Sequence, residues 1–227
     1  MSPAEPEEPE GEAAGHVVFR RESRGLEFDR VTFFTDAIFA IAMTVIVVGI
    51  GHPVLTNEDD AGDLAGELGD LWQEVFSFFL SFLVLGSLWK AHHQFYGRIV
   101  VIDSGLIWLN LAYLAFIAFL PFPTDLLGSY AQNPLAVAVY ALNVGLVLLL
   151  ELAVLERASR KGLFRRPMTP ETRRWALIAS SVPALVFLAS IPVAFLHPTA
   201  ALYSWLLIFP LVMVVRRLRP ATAQEGA

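Results

Sequence analysis

The sequence contains no cysteine. Disulfide bonds, thiolate metal ligands and thiol nucleophiles are therefore excluded. Charge is also scarce, because 17% of the residues are charged, whereas soluble domains carry roughly a quarter. The chain has 16 lysines and arginines and a net charge of −6. That balance indicates no partnership with nucleic acid, since nucleic-acid binding needs a positively charged surface.

The sequence is rich instead in long apolar runs, and 56% of its residues are hydrophobic. The runs reach about 20 residues, which is the length that crosses a hydrocarbon core of roughly 30 Å. Backbone polar groups must be satisfied internally in a bilayer, and the alternation typical of a membrane barrel is absent. We therefore predict an all-α integral membrane protein with six transmembrane helices, at about residues 28–50, 71–92, 99–120, 135–155, 175–196 and 199–215.

Prolines and the two ends of the chain refine this division. Pro121 and Pro123 are expected to stop the third helix, whereas Pro183 and Pro192 are expected to kink the fifth. Residues 1–25 are rich in Pro, Glu and Gly and predict a disordered tail rather than a signal peptide. Residues 26–219 form the predicted six-helix domain, and residues 220–227 form a second disordered tail.

All lysines and arginines fall on one side of this arrangement. They lie before or at the start of the first helix, at or after the end of the second, between the fourth and fifth, and after the sixth, and the three other connections contain none. Positively charged loops stay in the cytoplasm during insertion. Both termini are therefore predicted to be cytoplasmic, in a protein that passes six times through the cell membrane.

The connection between the first and second helices, residues 56–70, is acidic. It carries six carboxylates on the predicted outer side: Glu58, Asp59, Asp60, Asp63, Glu67 and Asp70. Such a loop either concentrates cations near a pore mouth or is simply a solvated surface.

Asp36 is an ionisable residue inside the first helix. A charge at a helix centre costs about 2.5–3.5 kcal/mol on insertion scales, so Asp36 needs a partner at its own depth. The second and third helices offer Trp89, His93 and Asn110 in the same layer as Thr35 and Asp36. This layer is either a hydrogen-bond network between helices or a proton relay or metal site, although neither the number nor the spacing of ligands matches a zinc motif.

The segment from Arg30 to Asp36, RVTFFTD, resembles the Arg-x-x-x-Phe-Ser-Asp signature that opens the first helix of the transmembrane protein 175 potassium channel family. Arg30, Phe34 and Asp36 match that signature, and Thr35 stands where the family usually has serine. The continuation AIFAIAMTVIVVGI and residues 88–128 are similar to the same family. The last three helices match it only in number, length and hydrophobicity.

This resemblance implies a homotetramer in which the first helix of each subunit lines a central pore. It implies conduction of K⁺ and other monovalent cations through a hydrophobic constriction, without a TVGYG filter, a cofactor or a catalysed reaction. The constriction of the family falls at Ile41, and further pore-facing positions fall at Thr44, Val45 and Val48. Signature residues and their partners would fix the first helix rather than carry the ion.

The spacing of these residues is compatible with a pore face. Ile41, Val45 and Val48 are four and three residues apart and share one helix stripe, with Thr44 beside it. Ordinary helix packing would produce the same stripe. The alternative function is a proton-coupled secondary transporter using Asp36 and His93, but such sites usually lie near the midplane on broken helices. A membrane enzyme is a third possibility, but the sequence offers neither paired carboxylates nor a nucleophile elbow for it.

Overall fold

The structure is a computed structural model that describes residues 18–20, 25–53 and 61–218. The predicted tail at residues 220–227 lies outside the described residues, as does most of the predicted tail at residues 1–25. Three of the six carboxylates in the acidic connection, Glu58, Asp59 and Asp60, also lie outside them.

The first half of the chain contains three spans. Its elements are β1 (Val18–Arg20), α1 (Gly25–Val45), a 3₁₀ helix (Ile46–Gly49), α2 (Ala61–Asp70), α3 (Trp72–Tyr96), β2 (Val101–Asp103), α4 (Ser104–Phe119) and α5 (Pro121–Ser129). The first span joins α1 to the 3₁₀ helix, the second is α3, and the third joins α4 to α5.

The second half supplies the other three spans. Its elements are α6 (Pro134–Arg160), α7 (Pro170–Leu196), α8 (Pro198–Ser204), a second 3₁₀ helix (Trp205–Leu207) and α9 (Ile208–Arg217). Asn133 and Thr169 cap α6 and α7 through their side-chain oxygens. Pro183 and Pro192 lie inside α7 without ending it.

Six helices long enough and apolar enough to cross a membrane are thus confirmed within the described residues, but the third differs from its predicted range of 99–120. It begins at Ser104, because the Asp103 side chain accepts the Leu106 amide hydrogen at 2.8 Å and caps α4. It also continues past Pro121 to Ser129. Proline is tolerated in the first turn of α5, where its missing N–H is not needed.

Two further expectations need correction. Part of the predicted disordered tail, Val18–Arg20, forms an antiparallel pair with Val101–Asp103, so the described residues include one short two-stranded sheet. The acidic connection is not all loop either, because residues 61–70 form α2. A search for apolar runs of membrane-spanning length does not reveal a three-residue strand or a ten-residue helix, because both are too short to cross a bilayer.

The connections that carry the basic residues meet at one end of the molecule, which we call the basic end. The backbone amide of Val100 donates to the Leu163 carbonyl at 2.9 Å, and the Arg165 amide donates to the Arg98 carbonyl at 2.9 Å. A buried apolar cluster lies beneath these contacts and includes Phe28, Ile102, Leu106, Val154 and Phe164. The segments that were predicted to share one membrane side are therefore neighbours.

Polar contacts also join the middle spans. The Thr124 hydroxyl donates to Ser81 Oγ at 2.8 Å, and Ser81 Oγ lies 3.1 Å from the Tyr140 hydroxyl. All three side chains are buried. Because α3, α5 and α6 each contribute one hydroxyl, this row of hydrogen bonds fixes the second, third and fourth spans against one another.

Candidate functional site on the first span

The first span is packed against the protein along one side only. We call this side the packed face, and its buried residues are Phe28, Thr35, Phe39, Ala42 and Ile46. Their spacings of seven, four, three and four residues follow one side of an α-helix. Phe39 is the central contact, since its ring centroid lies 6.2 Å from that of His92 on α3 and 6.1 Å from that of Tyr113 on α4.

The four residues predicted to line a pore lie on the other side, and we call them the free face: Ile41, Thr44, Val45 and Val48. Ile41 is 58% exposed, Val45 is 43% exposed and Val48 is 79% exposed. The single chain therefore leaves this part of the helix uncovered. Helix packing within one subunit, which was the competing explanation for the stripe, does not account for these four residues.

The winding of the first span changes within the free face. The α-helix ends at Val45, and residues Ile46–Gly49 form a 3₁₀ helix. Side chains three residues apart eclipse each other in a 3₁₀ helix, whereas in an α-helix they are offset by about 60°. Val48 is thereby brought closer to a position directly above Val45, so the two valines align along the helix axis.

Thr44 is the polar member of the free face. Its hydroxyl donates to the Ile41 carbonyl at 2.9 Å and to the Ala40 carbonyl at 3.1 Å. The proton of Thr44 is therefore directed back at its own helix. A hydroxyl oxygen has two acceptor lone pairs, and these remain directed away from the backbone.

Two hydrogen bonds anchor the packed side of the helix near the basic end. Trp89 Nε1 donates to Asp36 Oδ1 at 2.9 Å, and Asn110 Nδ2 donates to Thr35 Oγ1 at 3.1 Å. The Thr35 hydroxyl in turn donates to the Val31 carbonyl at 2.9 Å. We call these four side chains the polar anchors. They tie the first span to the second through Asp36 and to the third through Thr35.

Three other predicted residues stand apart from the polar anchors, two from the family signature and one from the polar layer. Arg30 and Phe34 are exposed, and the side chain of Arg30 makes no hydrogen bond within the described part of the chain. His93 is exposed, and its ring lies tilted against that of Trp89 with a centroid distance of 5.5 Å. The structure therefore brings together Thr35, Asp36, Trp89 and Asn110, and leaves His93 beside them through its ring alone.

The histidine that enters the core is His92, which sequence reasoning did not single out. Its ring lies between those of Tyr96 and Tyr113, with centroid distances of 4.4 Å and 4.8 Å. One signal was available, because His92 continues the buried series of Ser81, Leu85, Leu88 and Tyr96 at helical spacing. His92 is thus part of the packing surface that receives Phe39.

Asp103 has a structural role at the basic end. Arg157 donates to it twice, from Nε to Oδ1 at 3.1 Å and from its terminal nitrogen to Oδ2 at 2.5 Å. Burial of the carboxylate disfavours its charge, but the hydrogen bonds from Arg157 and from the Leu106 amide outweigh that cost and lower the pKa of Asp103. This ion pair fixes the start of α4 against the end of α6.

Comparison with known proteins places the similarity in the first half of the chain. The model of a family described as the endosomal/lysosomal potassium channel TMEM175 matches residues 30–121. A potassium channel of Streptomyces collinus is 37% identical over 120 residues, which are 51% of this chain and 57% of that protein. A potassium channel of Chamaesiphon minutus is 33% identical over 118 residues, covering 51% of this chain and 58% of that protein.

More distant relatives and a solved structure extend the match. The human endosomal/lysosomal proton channel TMEM175 is 26% identical over 187 residues, which are 76% of this chain and 35% of that protein. The crystal structure of a lysosomal potassium-selective channel TMEM175 homolog from Chamaesiphon minutus superposes with a TM-score of 0.70 at 22% identity. That superposition covers 84% of this chain and 97% of the solved chain, and it indicates a shared fold.

Proposed function

Because residues 30–121 of this chain match the model of the TMEM175 family, we propose that it is a potassium channel of that family and that its first span lines the pore. The chain spans somewhat less than three fifths of the length of the two bacterial potassium channels that it matches. The proposal therefore rests on the geometry of the first span as much as on the names of those relatives. The family is one of ion channels and not of enzymes.

The observation that carries the proposal is the exposed free face of a helix that is firmly anchored on its other side. We propose that four copies of the chain assemble around an axis that this face lines. Ile41, Val45 and Val48 would then form stacked aliphatic rings, which control conduction by excluding water from a narrow pore. Both termini would lie on the cytoplasmic side of the cell membrane.

Thr44 supports the same orientation. Because its hydroxyl proton is used by its own helix, its oxygen lone pairs are available to a partly dehydrated cation. Four such oxygens would form one ring, next to the ring of Ile41. A pore with one hydroxyl ring and aliphatic walls offers fewer oxygen ligands than a carbonyl-lined filter, so we propose selectivity for K⁺ over Na⁺ that is modest.

The alternative function, proton-coupled transport through Asp36 and His93, has weaker support. Asp36 accepts a hydrogen bond from Trp89, and no hydrogen bond joins Asp36 to His93 among the described residues. Proton movement nevertheless needs a direct test, because the human relative is named a proton channel.

The experiment uses purified protein in K⁺-loaded liposomes that contain a pH-sensitive dye and face an outward K⁺ gradient. A potassium channel makes the interior negative, so protons enter only when a protonophore is added. Acidification that requires the protonophore supports the proposal, whereas equal acidification without it means that the protein itself moves protons and contradicts the proposal. Protein-free liposomes with the same protonophore are the control.

A further inference from the structure

The end of the first span farthest from the basic end is held by different contacts from the polar anchors. We call Ile46–Gly51 the far end. It lies between the first turn of α3 and the middle of α5. Gly51 N–H donates to Glu74 Oε2 at 2.6 Å. On the other side a Cβ at Gly49 would lie 3.1 Å from both Cβ and Oδ1 of Asp125, so the backbone there is in close contact with α5.

The Gly51 amide depends on Glu74 because the helix has already ended. The backbone of Ile50 is extended, with φ −81° and ψ 117°. The amide hydrogen of Gly51 therefore has no carbonyl of its own helix to bind. Glu74 lies in the first turn of α3, where the helix dipole favours a negative charge. A charge-assisted hydrogen bond at this place is stronger than one between neutral groups.

Glu74 is itself fixed in place by a close helix contact. Gly128 on α5 lies against it, because a Cβ at Gly128 would be 3.0 Å from Glu74 Cα and 2.6 Å from Ser77 Oγ. A larger residue at position 128 would crowd this contact between α3 and α5. The position of Gly51 therefore follows from Glu74, and the position of Glu74 follows from α5.

We propose that Glu74 is a positioning residue for the pore, which sets the rotation of the far end and with it the direction of Val48. This inference rests on the proposed function. The hydrogen bond to Gly51 restrains the end of a span whose last turn, Ile46–Gly49, is a 3₁₀ helix. Without it, rewinding of that turn into an α-helix would rotate Val48 by about 60° relative to Val45.

The first test separates the geometry of Glu74 from its charge. Glu74→Gln keeps an oxygen that accepts the Gly51 N–H but removes the charge, and Glu74→Leu removes both. We expect Glu74→Leu to lower the ratio of K⁺ to Na⁺ permeability by about twofold or more, and Glu74→Gln to stay near wild type. Asp70→Leu removes an acid four residues earlier and should leave the ratio unchanged.

A second pair of variants changes the donor and leaves Glu74 in place. Gly51→Pro removes the amide hydrogen, and the extended backbone of Ile50 is compatible with a following proline. Gly51→Ala keeps the hydrogen and adds a comparable Cβ. We expect Gly51→Pro to reproduce Glu74→Leu and Gly51→Ala to resemble wild type. These variants also decide the matter if Glu74→Leu does not fold.

Hydrogen exchange of residues 46–53 supplies a readout that does not depend on conduction. We expect slow exchange in wild type and Glu74→Gln, and faster exchange in Glu74→Leu. A wild-type protein without K⁺ flux would remove the proposed function. If the wild type conducts K⁺ but Glu74→Leu and Gly51→Pro leave its selectivity unchanged, the positioning role of Glu74 is wrong while the proposed function stands. The positioning role is also wrong if Glu74→Gln and Glu74→Leu lower the ratio of K⁺ to Na⁺ permeability equally.

Discussion

The two faces of the first span differ in what they contact. The packed face lies against α3 and α4 through Phe39 and the polar anchors, while the side chains of the free face are exposed in the single chain. Both faces consist mainly of aliphatic and aromatic side chains. Hydrophobicity alone therefore does not distinguish them, and in a bilayer an exposed apolar face carries no penalty by itself. What separates the faces is specific contact.

This difference predicts which substitutions change stability and which change conduction. A residue of the packed face contributes through the atoms that it touches, so its truncation leaves a cavity. A residue of the free face is exposed in one chain, so its substitution should leave the unfolding free energy nearly unchanged. Matched variants on the same helix test this division directly.

The largest effect on stability is expected for Phe39→Ala. Phe39 is 1% exposed, and its ring contacts those of His92 and Tyr113. Loss of a buried phenyl group costs about 3–5 kcal/mol. The control is Phe33→Ala on the same helix, because Phe33 is 70% exposed. For the control we expect the free energy of unfolding in mixed micelles to change by less than about 0.5 kcal/mol. Equal losses of stability in both variants would contradict the division between the packed face and the rest of the helix.

The six spans could be predicted from the sequence because the thickness of the bilayer dictates the length of an apolar run. The partners of Thr35 and Asp36 followed from matching depth along neighbouring helices, since a polar group in a membrane needs a partner at its own level. Trp89 and Asn110 were found in this way. Assignment of the free face to a pore came from family resemblance, because the stripe itself would equally suit packing.

The remaining features depend on contacts between segments distant in sequence. Adjacent histidines point about 100° apart on a helix, and only the position of the third span decides that His92 enters the core. The start of α4 depends on Asp103 and its pairing with Val18–Arg20. The contact of Gly51 with Glu74 depends on how closely α5 approaches α3, which no local pattern encodes.

The next largest effect is expected at the polar anchors. Asp36→Ala leaves the indole N–H of Trp89 without its acceptor, and we expect a loss of about 1 kcal/mol, as for other hydrogen bonds between membrane helices. Trp89→Phe removes the donor and keeps a ring against His93. The double variant should lose less than the sum of the single losses, and strictly additive losses in this cycle would contradict the anchor. Asp36→Asn keeps an acceptor and should lose less than Asp36→Ala.

A smaller effect is expected at the ion pair that supports the packed face from the basic end. The pKa of Asp103 is lower in the folded protein than its ordinary value, so the folded state favours the ionised carboxylate. The resulting stability is present above the ordinary pKa of about 4 and is lost as the pH falls through the lower folded value. Its size is about 1 kcal/mol or less, because the pair is partly exposed. Asp103→Asn should make the free energy of unfolding less dependent on pH in this range. If the variant loses stability in acid in the same way as the wild type does, Asp103 is not the group responsible.

The smallest change in stability, and the most informative, is expected for Ile41→Asn on the free face. An asparagine there faces away from the packed core, so the unfolding free energy should change by less than about 0.5 kcal/mol. Conduction should nevertheless change, since a ring of amides in place of sec-butyl groups holds water and weakens a hydrophobic constriction. We expect a larger flux and a lower ratio of K⁺ to Na⁺ permeability, measured from reversal potentials. The exposed Leu83 on α3 offers the control, because Leu83→Asn adds the same amide outside the proposed pore. If Ile41→Asn and Leu83→Asn leave selectivity equally unchanged, the free face contacts lipid or another protein surface and not the ion path.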